Sequence, residues 1–343
     1  MVGQNYIRLL ENHPWFEVSY LVASEKSSGK RFPESVSGRW HMPSDIPEGV
    51  KGLYVHTLDD FNSAKKECDF VFSALDTDIA KVYEELYAKN GLPVISNASA
   101  HRSTSDVPML IPEINHEHAD IIPMQKKNHG WTDGFIVVKP NCSLQSYMTP
   151  LSILHERFGL KKAIITTMQA VSGAGHPGVA SYDIIDNIIP YIKGEEEKSE
   201  REPLKILGKV KGSQIIPATG IDISAHCNRV PTIDGHMACV SVSFKKRPEI
   251  DEILSSWKKF VSVPYKLKLP SAPKEAVLYR DEPDRPQTRL DRDNSNGMGI
   301  VVGRLRGCNV LQYRFVGLSH NTVRGAAGGG ILNAELLKAK RYL

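Results

Sequence analysis

A single cysteine, Cys142, lies in a sequence context that favours nucleophilic chemistry. It follows the apolar run 135–138, which predicts a buried strand, and precedes residues 147–154, whose apolar spacing predicts a helix. A thiol at a helix N-terminus meets free backbone N–H groups and the positive end of the helix dipole, which favour the nucleophilic thiolate. A lone cysteine is more often an inert core residue. The context Lys-Pro-Asn-Cys-Ser-Leu-Gln at 139–145 is more particular than a core position requires, so we predict that Cys142 is a nucleophile.

Composition limits the class of protein. The 343 residues are enough for two domains, and 41% apolar with 24% charged residues indicates a globular chain. The net charge of +4 is small and scattered, which argues against nucleic acid as a partner. No apolar segment is long enough to span a bilayer and no signal peptide opens the chain, so we predict a cytoplasmic protein without a membrane partner. The five cysteines contain no CxxC pair, which predicts neither a disulfide framework nor a metal site.

The first part of the chain alternates apolar strands with helices, which predicts a parallel sheet. Small polar residues at the carboxyl ends of such strands mark the edge where these sheets bind ligands. Residues 24–30 follow the first predicted strand, where a dinucleotide-binding unit contacts the adenosine ribose. Their hydroxyls and basic residues favour NADP over NAD, although a polar surface turn explains them equally well. Strands are predicted at 16–23, 68–75 and 91–99, and helices from the start to about residue 12, at about 79–90 and at about 116–127.

The pattern changes after Cys142. A β-branched strand at 163–171 ends in the flexible turn Ser172–Gly175, and a charged stretch at 193–202 leads into a helix. Strands at 222–231 and 235–244, joined by a short turn, predict an antiparallel hairpin and hence an α+β second domain. A glycine-rich helix from 320 to 340 predicts close packing of its backbone against a ligand or another helix.

With these pieces in place, the chain resembles the aspartate-β-semialdehyde dehydrogenase family, in its archaeal and fungal branch. The matching motifs occur in the family's order and cover nearly the whole chain. They are Ser96-Asn97-Ala98-Ser99, Pro140-Asn141-Cys142-Ser143, Met168–Gly175, Cys227-Asn228-Arg229-Val230 with Asp234-Gly235-His236, Arg285-Pro286-Gln287 with Arg289–Arg292, and His320–Gly328.

The resemblance implies an α/β fold with two domains. The first is a Rossmann-like NADP-binding domain at 1–140, completed by a C-terminal helix at 320–343; the second, at 141–319, is a catalytic and dimerisation domain of the glyceraldehyde-3-phosphate-dehydrogenase-like kind. A homodimer or homotetramer is implied as well. Family members begin with a strand and Gly-Ala-Thr-Gly-x-Val-Gly-Gln, of which only Met1–Gln4 is present. We therefore expect the true start to lie upstream of Met1, and the chain as given to bind NADPH weakly because part of its nucleotide cradle is missing.

The implied reaction is the reduction of L-4-aspartyl phosphate by NADPH to L-aspartate 4-semialdehyde with release of phosphate, in the biosynthesis of lysine, threonine, methionine and isoleucine. Cys142 would attack the acyl phosphate and form a thioacyl enzyme. His236 matches the family's acid/base residue, and Gln169 matches the residue that orients the intermediate. Arg229 would bind the substrate carboxylate with its planar fork. A single histidine or arginine at a strand end is more often structural, and the surrounding motifs favour the catalytic interpretation.

The other site residues also follow from the resemblance. Arg102 and Lys198 match phosphate contacts, Glu196 is a candidate for binding the substrate amino group, and Asn141 would position the substrate. The charged run around Lys198 is also typical of a solvated helix face. The residues that match cofactor contacts are Val2, Ser24, Ser27, Ser28, Lys30, Ser73, Asn97, Ser172, Gly173 and Asn321.

Two alternatives remain open from the sequence. A malonyl-CoA or succinyl-CoA reductase of the same fold resembles the chain at Gln145 and in the glycine-rich end, but fits less well at 140–142 and 227–229. A non-catalytic relative would serve as a subunit or ligand sensor. The complete set Cys142, Gln169, Arg229 and His236 argues against it, because a site without activity has no physical need for these residues.

Overall fold

A computed structural model describes all residues from 1 to 343, with mixed helices and strands throughout. The strands are β1 (Leu21–Val22), β2 (Val55–His56), β3 (Val71–Ser73), β4 (Val94–Ser96), β5 (Ile136–Val138), β6 (Leu160–Gln169), β7 (Lys209–Lys211), β8 (Gln214–Ile216), β9 (Asp222–Arg229), β10 (His236–Phe244), β11 (Val277–Arg280), β12 (Ile300–Gly307) and β13 (Tyr313–Ser319).

The α-helices are α1 (Val2–Leu9), α2 (Phe32–Ser35), α3 (Glu48–Lys51), α4 (Phe61–Glu67), α5 (Thr77–Lys89), α6 (Pro112–Asn115), α7 (Ile122–His129), α8 (Met148–Phe158), α9 (Ser181–Ile184), α10 (Glu195–Ile206), α11 (Ile250–Lys258), α12 (Val263–Lys266), α13 (Thr288–Asp291) and α14 (Gly328–Ala339). Tighter 3₁₀ segments lie at His116–Ile121, Ser143–Ser146 and Val171–Ala174, and a π-helical turn at Val323–Ala327 precedes α14. No helix is long and apolar enough to cross a bilayer.

Parallel strands form the sheets of the first part of the chain, as the alternating pattern predicts. β3, β4 and β5 pair in that order, and β1 pairs with β2 in a separate two-stranded sheet. The strands are shorter than predicted. Of the strand predicted at 16–23, for example, only β1 (Leu21–Val22) forms. Phe16 and Val18 instead pack their side chains against α1 and Phe72, without backbone pairing. The expectation about an upstream start stays a prediction.

The second sheet has six strands in the order β11-β12-β13-β10-β6-β9. The predicted hairpin of β9 with β10 is wrong, because β6 lies between them. β6 pairs in parallel with β9 and antiparallel with β10. The connection between β9 and β10 therefore crosses the end of β6, where Val230 donates to the carbonyl of Gln169 at 3.0 Å and Val171 donates to that of Thr232 at 2.8 Å.

One large core joins the two main sheets. It contains 34 buried residues, among them Val94 and Ile136 of the first sheet and Ile165 and Val240 of the second. Helix α8 contributes apolar side chains to this core, including the fully buried Leu151. α14 packs on the first sheet through a second cluster that contains Ile95, Val137 and Leu336. The domain limits at residues 140 and 320 stay a prediction.

Candidate active site

The directions of three strands bring three polar side chains to the same end of the second sheet. Gln169 ends β6 and Arg229 ends β9, and the two residues are paired in the parallel register. β10 runs the opposite way, so its first residue, His236, lies at the same edge. All three are buried, with relative exposures of 1%, 6% and 0%. The strand ends thus assemble polar side chains that local sequence separates by up to 67 positions.

Cys142 reaches this edge from the loop after β5. Its Sγ lies 3.4 Å from Nε2 of His236, and its side chain is partly exposed. The structure therefore brings the predicted nucleophile and the predicted acid/base residue into contact, although 93 residues separate them in the chain.

A backbone contact sets the tautomer of His236. The N–H of Ala170 donates to Nδ1 at 3.1 Å, so Nδ1 is an acceptor and the ring proton lies on Nε2, facing the sulfur. Burial lowers the pKa of His236 to about 3, and the positive charge of Arg229 acts in the same direction. The ring is therefore neutral at physiological pH and offers Nε2–H as a donor.

The expectation of a ready thiolate is wrong. Burial raises the pKa of the Cys142 thiol, and the charge of Glu195 adds to this, while Lys139, Arg102 and Arg229 act in the opposite direction. Cys142 precedes a four-residue 3₁₀ segment, and α8 begins only at Met148. An α-helix dipole acts mainly over its first turn, so it does not offset the cost of burying the charge here.

Position 173 has room for a glycine only, because the side chains of Arg229 and His236 lie against its backbone. Nη1 of Arg229 donates to the carbonyl of Ala170 at 2.7 Å. A Cβ placed on Gly173 would lie 2.8 Å from that Nη1 and 2.9 Å from Cε1 of His236, closer than real Cβ contacts. Gly173, a predicted cofactor contact, therefore lies in direct contact with Arg229 and His236.

The carboxylate that enters the site is Glu195, and the prediction of Glu196 is wrong by one residue. Glu195 accepts hydrogen bonds from Asn141 Nδ2 at 2.8 Å, Gln169 Nε2 at 3.2 Å and Lys198 Nζ at 2.9 Å. Glu196 instead accepts from the backbone N–H of Cys227 at 3.1 Å, on the side of α10 that faces β9. One residue turns a helix by about 100°, so only one of three consecutive glutamates can point inward.

Each of the two predicted phosphate contacts, Arg102 and Lys198, is bound to a carboxylate of helix α10. Arg102 donates through Nη1 to Glu202 at 3.0 Å and through Nη2 to the carbonyl of Asn97 at 3.0 Å. Lys198 reaches the site through Glu195. Sequence reasoning missed Glu195 and Glu202; the Glu-x-x-Lys spacing at 195–198, which places both side chains on one helix face, was the available signal.

The predicted cofactor residues fall into three groups. Near the thiol, Asn321 donates through Nδ2 to Ser172 Oγ at 2.8 Å and accepts from the N–H of Gly235 at 2.8 Å. Ser73 and Asn97 lie at the carboxyl ends of β3 and β4, close to the first turns of α1, which begins at Val2.

The third group follows β1. Ser27 is buried and accepts from Arg39 at 3.4 Å, Ser28 donates to the carbonyl of Glu25 at 2.9 Å, and Ser24 and Lys30 are exposed. Arg39 was missed because it lies nine residues beyond the predicted turn.

Two buried side-chain atoms at the carboxyl ends of β3 and β4 have no hydrogen-bond partner. Ser73 Oγ and Asn97 Oδ1 make no hydrogen bond, and buried polar atoms of this kind are rare unless a ligand or water satisfies them. Both belong to the set predicted to contact the cofactor, so the residues present fit a nucleotide with donor and acceptor groups. No group of three or more His, Cys, Asp or Glu side chains is placed to hold a metal ion.

A parallel sheet of the nucleotide-binding kind carries a cysteine after its last strand, and a second sheet places a histidine against that cysteine with an arginine beside it. This arrangement defines an oxidoreductase of the semialdehyde dehydrogenase class. Two family models agree: "Semialdehyde dehydrogenase, NAD binding domain" matches residues 1–122 and "Semialdehyde dehydrogenase, dimerisation domain" matches residues 151–324. The chain belongs to the aspartate-semialdehyde dehydrogenase family.

Named relatives support this membership over the full length. The aspartate-semialdehyde dehydrogenase of Archaeoglobus fulgidus is 47% identical over 343 residues, covering 100% of this chain and 96% of its own. That of Saccharomyces cerevisiae is 42% identical, with the same coverages. The crystal structure of the Candida albicans enzyme with NADP has a TM-score of 0.92 and 42% identity, covering 100% of this chain and 97% of its own. The family resemblance and the predicted α/β fold are thus confirmed.

Proposed function

We propose that this protein is an NADP-dependent aspartate-semialdehyde dehydrogenase. It reduces L-4-aspartyl phosphate to L-aspartate 4-semialdehyde and releases phosphate, in the biosynthesis of amino acids of the aspartate family. The observation that carries the proposal is the 3.4 Å contact of Cys142 Sγ with His236 Nε2, beside Arg229 and Gln169. Membership of the family and the NADP complex of the Candida albicans relative support both the reaction and the cofactor.

Cys142 carries the covalent chemistry. The Cys142 thiol, whose side chain is partly exposed, loses its proton to solvent, because the facing Nε2 of His236 already carries a hydrogen. The thiolate sulfur then attacks the acyl carbon of the substrate; the bond from that carbon to the phosphate oxygen breaks, and phosphate leaves with the bonding electrons. The product is a thioacyl group on Cys142. Nε2–H of His236 stabilises the thiolate as it forms, because it is the donor that faces the sulfur.

The second half of the reaction also uses the Nε2–H donor. NADPH, when bound, supplies the hydride that reduces the thioester carbon. The resulting oxyanion on the Cys142 adduct accepts a hydrogen bond from Nε2–H of His236, with Gln169 at the same strand edge to orient it. The oxyanion then re-forms a carbonyl, the carbon–sulfur bond breaks, and the aldehyde leaves while Cys142 regains the thiolate.

The substrate's charged groups find complementary partners. Arg229 binds the α-carboxylate, Glu195 replaces Glu196 as the partner of the ammonium group, and Asn141 holds Glu195 in place. Arg102 and Lys198 bind the phosphate. These roles are supported by the burial of Arg229, Glu195 and Asn141 and by the hydrogen bonds that join Glu195 to Asn141, Gln169 and Lys198, since charge-assisted hydrogen bonds are strongest at buried sites.

We also propose that the protein is a homodimer or a homotetramer. The dimerisation-domain match covers the second sheet. Beside β9 runs a segment with large exposed apolar side chains, Tyr182 (97% exposed), Ile185 (68%), Ile188 (59%) and Tyr191 (63%). Such a patch favours burial against a second subunit. Sedimentation equilibrium gives the mass directly, and a monomer at micromolar concentration would contradict this proposal.

Turnover of the purified protein tests the enzymatic proposal. With L-aspartate 4-semialdehyde, NADP⁺ and phosphate, nicotinamide absorbance should rise, and Cys142→Ser should abolish the rise while keeping the thermal melt. A parallel assay offers malonyl-CoA or succinyl-CoA with NADPH. Turnover of a CoA ester alone would reject the proposal in favour of the reductase alternative, and no turnover of any substrate would favour the non-catalytic one.

A further inference from the structure

Helix α10 presents four charged side chains to the interior along one face. Glu195, Lys198, Glu202 and Lys205 follow each other at intervals of three, four and three residues, which keeps them on one side of a helix. The first two belong to the site described above. Glu202 and Lys205 continue the row and are only 7% and 8% exposed, which is costly for charged groups without a specific set of partners.

Glu202 uses both of its carboxylate oxygens on groups of the site. Oε1 accepts from Nη1 of Arg102 at 3.0 Å, and Oε2 accepts from the backbone N–H of Asn141 at 2.7 Å. Asn141 precedes the nucleophile Cys142. One carboxylate therefore fixes both the predicted phosphate-binding guanidinium and the backbone beside the thiol. The two donors reach different oxygens of the carboxylate, so a side chain with an acceptor at only one of these positions would leave one donor without its partner.

Lys205 fixes the backbone that carries Arg102. Its Nζ donates to the carbonyls of Arg102, Thr104 and Val107 at 2.8, 2.7 and 2.8 Å, which uses all three ammonium donors. Helix α10 therefore binds the loop of Arg102 in two ways: Lys205 binds its backbone carbonyls, and Glu202 binds the guanidinium of Arg102.

We propose that Glu202 is a positioning residue for the phosphate-transfer half of the reaction and that Lys205 supports it by holding the Arg102 loop. Glu202 aims the guanidinium at the phosphate and does not merely neutralise it. Nε of Arg102 is buried without a partner, which leaves one donor of the fork free for an anion. This inference rests on the proposed function.

The discriminating variant is Glu202→Gln. A glutamine offers one acceptor oxygen in place of two, so either Arg102 or the Asn141 amide loses its partner. In the oxidative direction we expect the KM for phosphate to rise by about tenfold to a hundredfold, with a smaller change in the KM for the aldehyde. Glu197→Gln is the matched control, since Glu197 lies on the exposed side of the same helix without a hydrogen-bond partner; it should behave like the wild type.

A neutralising role predicts the opposite sign. If Glu202 only weakened the charge of Arg102, its loss would lower the KM for phosphate, and a lowered or unchanged KM would overturn the proposal. In an Arg102→Ala background, Glu202→Gln should add little to the KM for phosphate, because its partner is gone; a full additional effect would overturn it as well.

Lys205→Gln provides an independent test of the positioning role if the Glu202→Gln protein does not fold. It leaves Glu202 in place but removes one donor and the charge, and the same selective rise in the KM for phosphate is expected. Wild-type aldehyde oxidation with NADP⁺ and phosphate is measured first. An inactive wild type would reject the proposed function, whereas an active wild type with unaffected variants would reject only the positioning role.

Discussion

Adding one methyl group at Gly173 should disable the site without unfolding the protein. The new Cβ would lie 2.8 Å from Nη1 of Arg229 and 2.9 Å from Cε1 of His236, which falls 0.6 and 0.5 Å short of the 3.4 Å where ordinary contact begins. Neither neighbour can yield freely, because both are bound to the backbone of Ala170. Displacement of catalytic groups by 1 Å costs about a hundredfold, so we expect Gly173→Ala to lower kcat/KM by about tenfold to a hundredfold.

Initial rates with L-aspartate 4-semialdehyde, NADP⁺ and phosphate provide the assay. Gly173 is exposed and its φ is not in the left-handed region, so an alanine leaves the turn unstrained and the thermal melt should stay unchanged. Gly49→Ala is the matched control, since a Cβ there meets nothing within 4 Å. A folded Gly173→Ala protein with the wild-type kcat/KM would refute the placement of Arg229 and His236 in the reaction.

Three further predictions follow from burial and charge. Because burial raises the pKa of the Cys142 thiol, its alkylation by iodoacetamide should accelerate about tenfold per pH unit from about pH 6 to 8, whereas a pH-independent rate would mean a preformed thiolate. Trp257→Ala should cost about 3–5 kcal/mol in chemical denaturation, since the ring is 1% exposed and its Nε1–H donates to the carbonyl of Pro150 at 3.0 Å. Burial opposes the charge of Asp291, but hydrogen bonds from Arg285 hold its pKa below the usual range. A lowered folded-state pKa adds stability above the unfolded pKa and loses it as the pH falls through the folded one, so Asp291→Asn should melt earlier at neutral pH and lose less on acidification; equal acid sensitivity would contradict this.

The sequence was sufficient to predict the two-sheet α/β fold and the residues that meet at the thiol. Cys142 was predicted from its position between a strand and a helix, whereas Gln169, Arg229 and His236 were predicted from motifs of the family resemblance. The apolar pattern predicts that a strand exists better than it predicts where the strand ends. The hairpin of β9 and β10 was predicted wrongly, because adjacency in sequence indicated pairing, whereas β6, which begins 62 residues before β9, lies between the two strands and pairs with each of them. Pairing partners of that kind are a tertiary choice that no local pattern contains.

Two errors concern the environment of side chains. The choice between Glu195 and Glu196 depends on the rotational phase of α10, which is set by packing against β9. The thiolate expectation relied on a helix dipole, but the segment after Cys142 winds as a short 3₁₀ turn, and the packing around the sulfur raises the pKa of the thiol. Desolvation of a thiol depends on the whole fold, so a seven-residue motif cannot report it.

The apolar core that runs from the nucleotide-type sheet into the second sheet has a mechanical consequence. Cys142 is carried by one sheet and His236 by the other, yet 34 interlocked side chains join their supports. Opening a hinge between them would expose that interior to water, so the sulfur-to-imidazole spacing is set once, when the chain folds. Heat should therefore abolish the spacing and the tertiary structure in a single step.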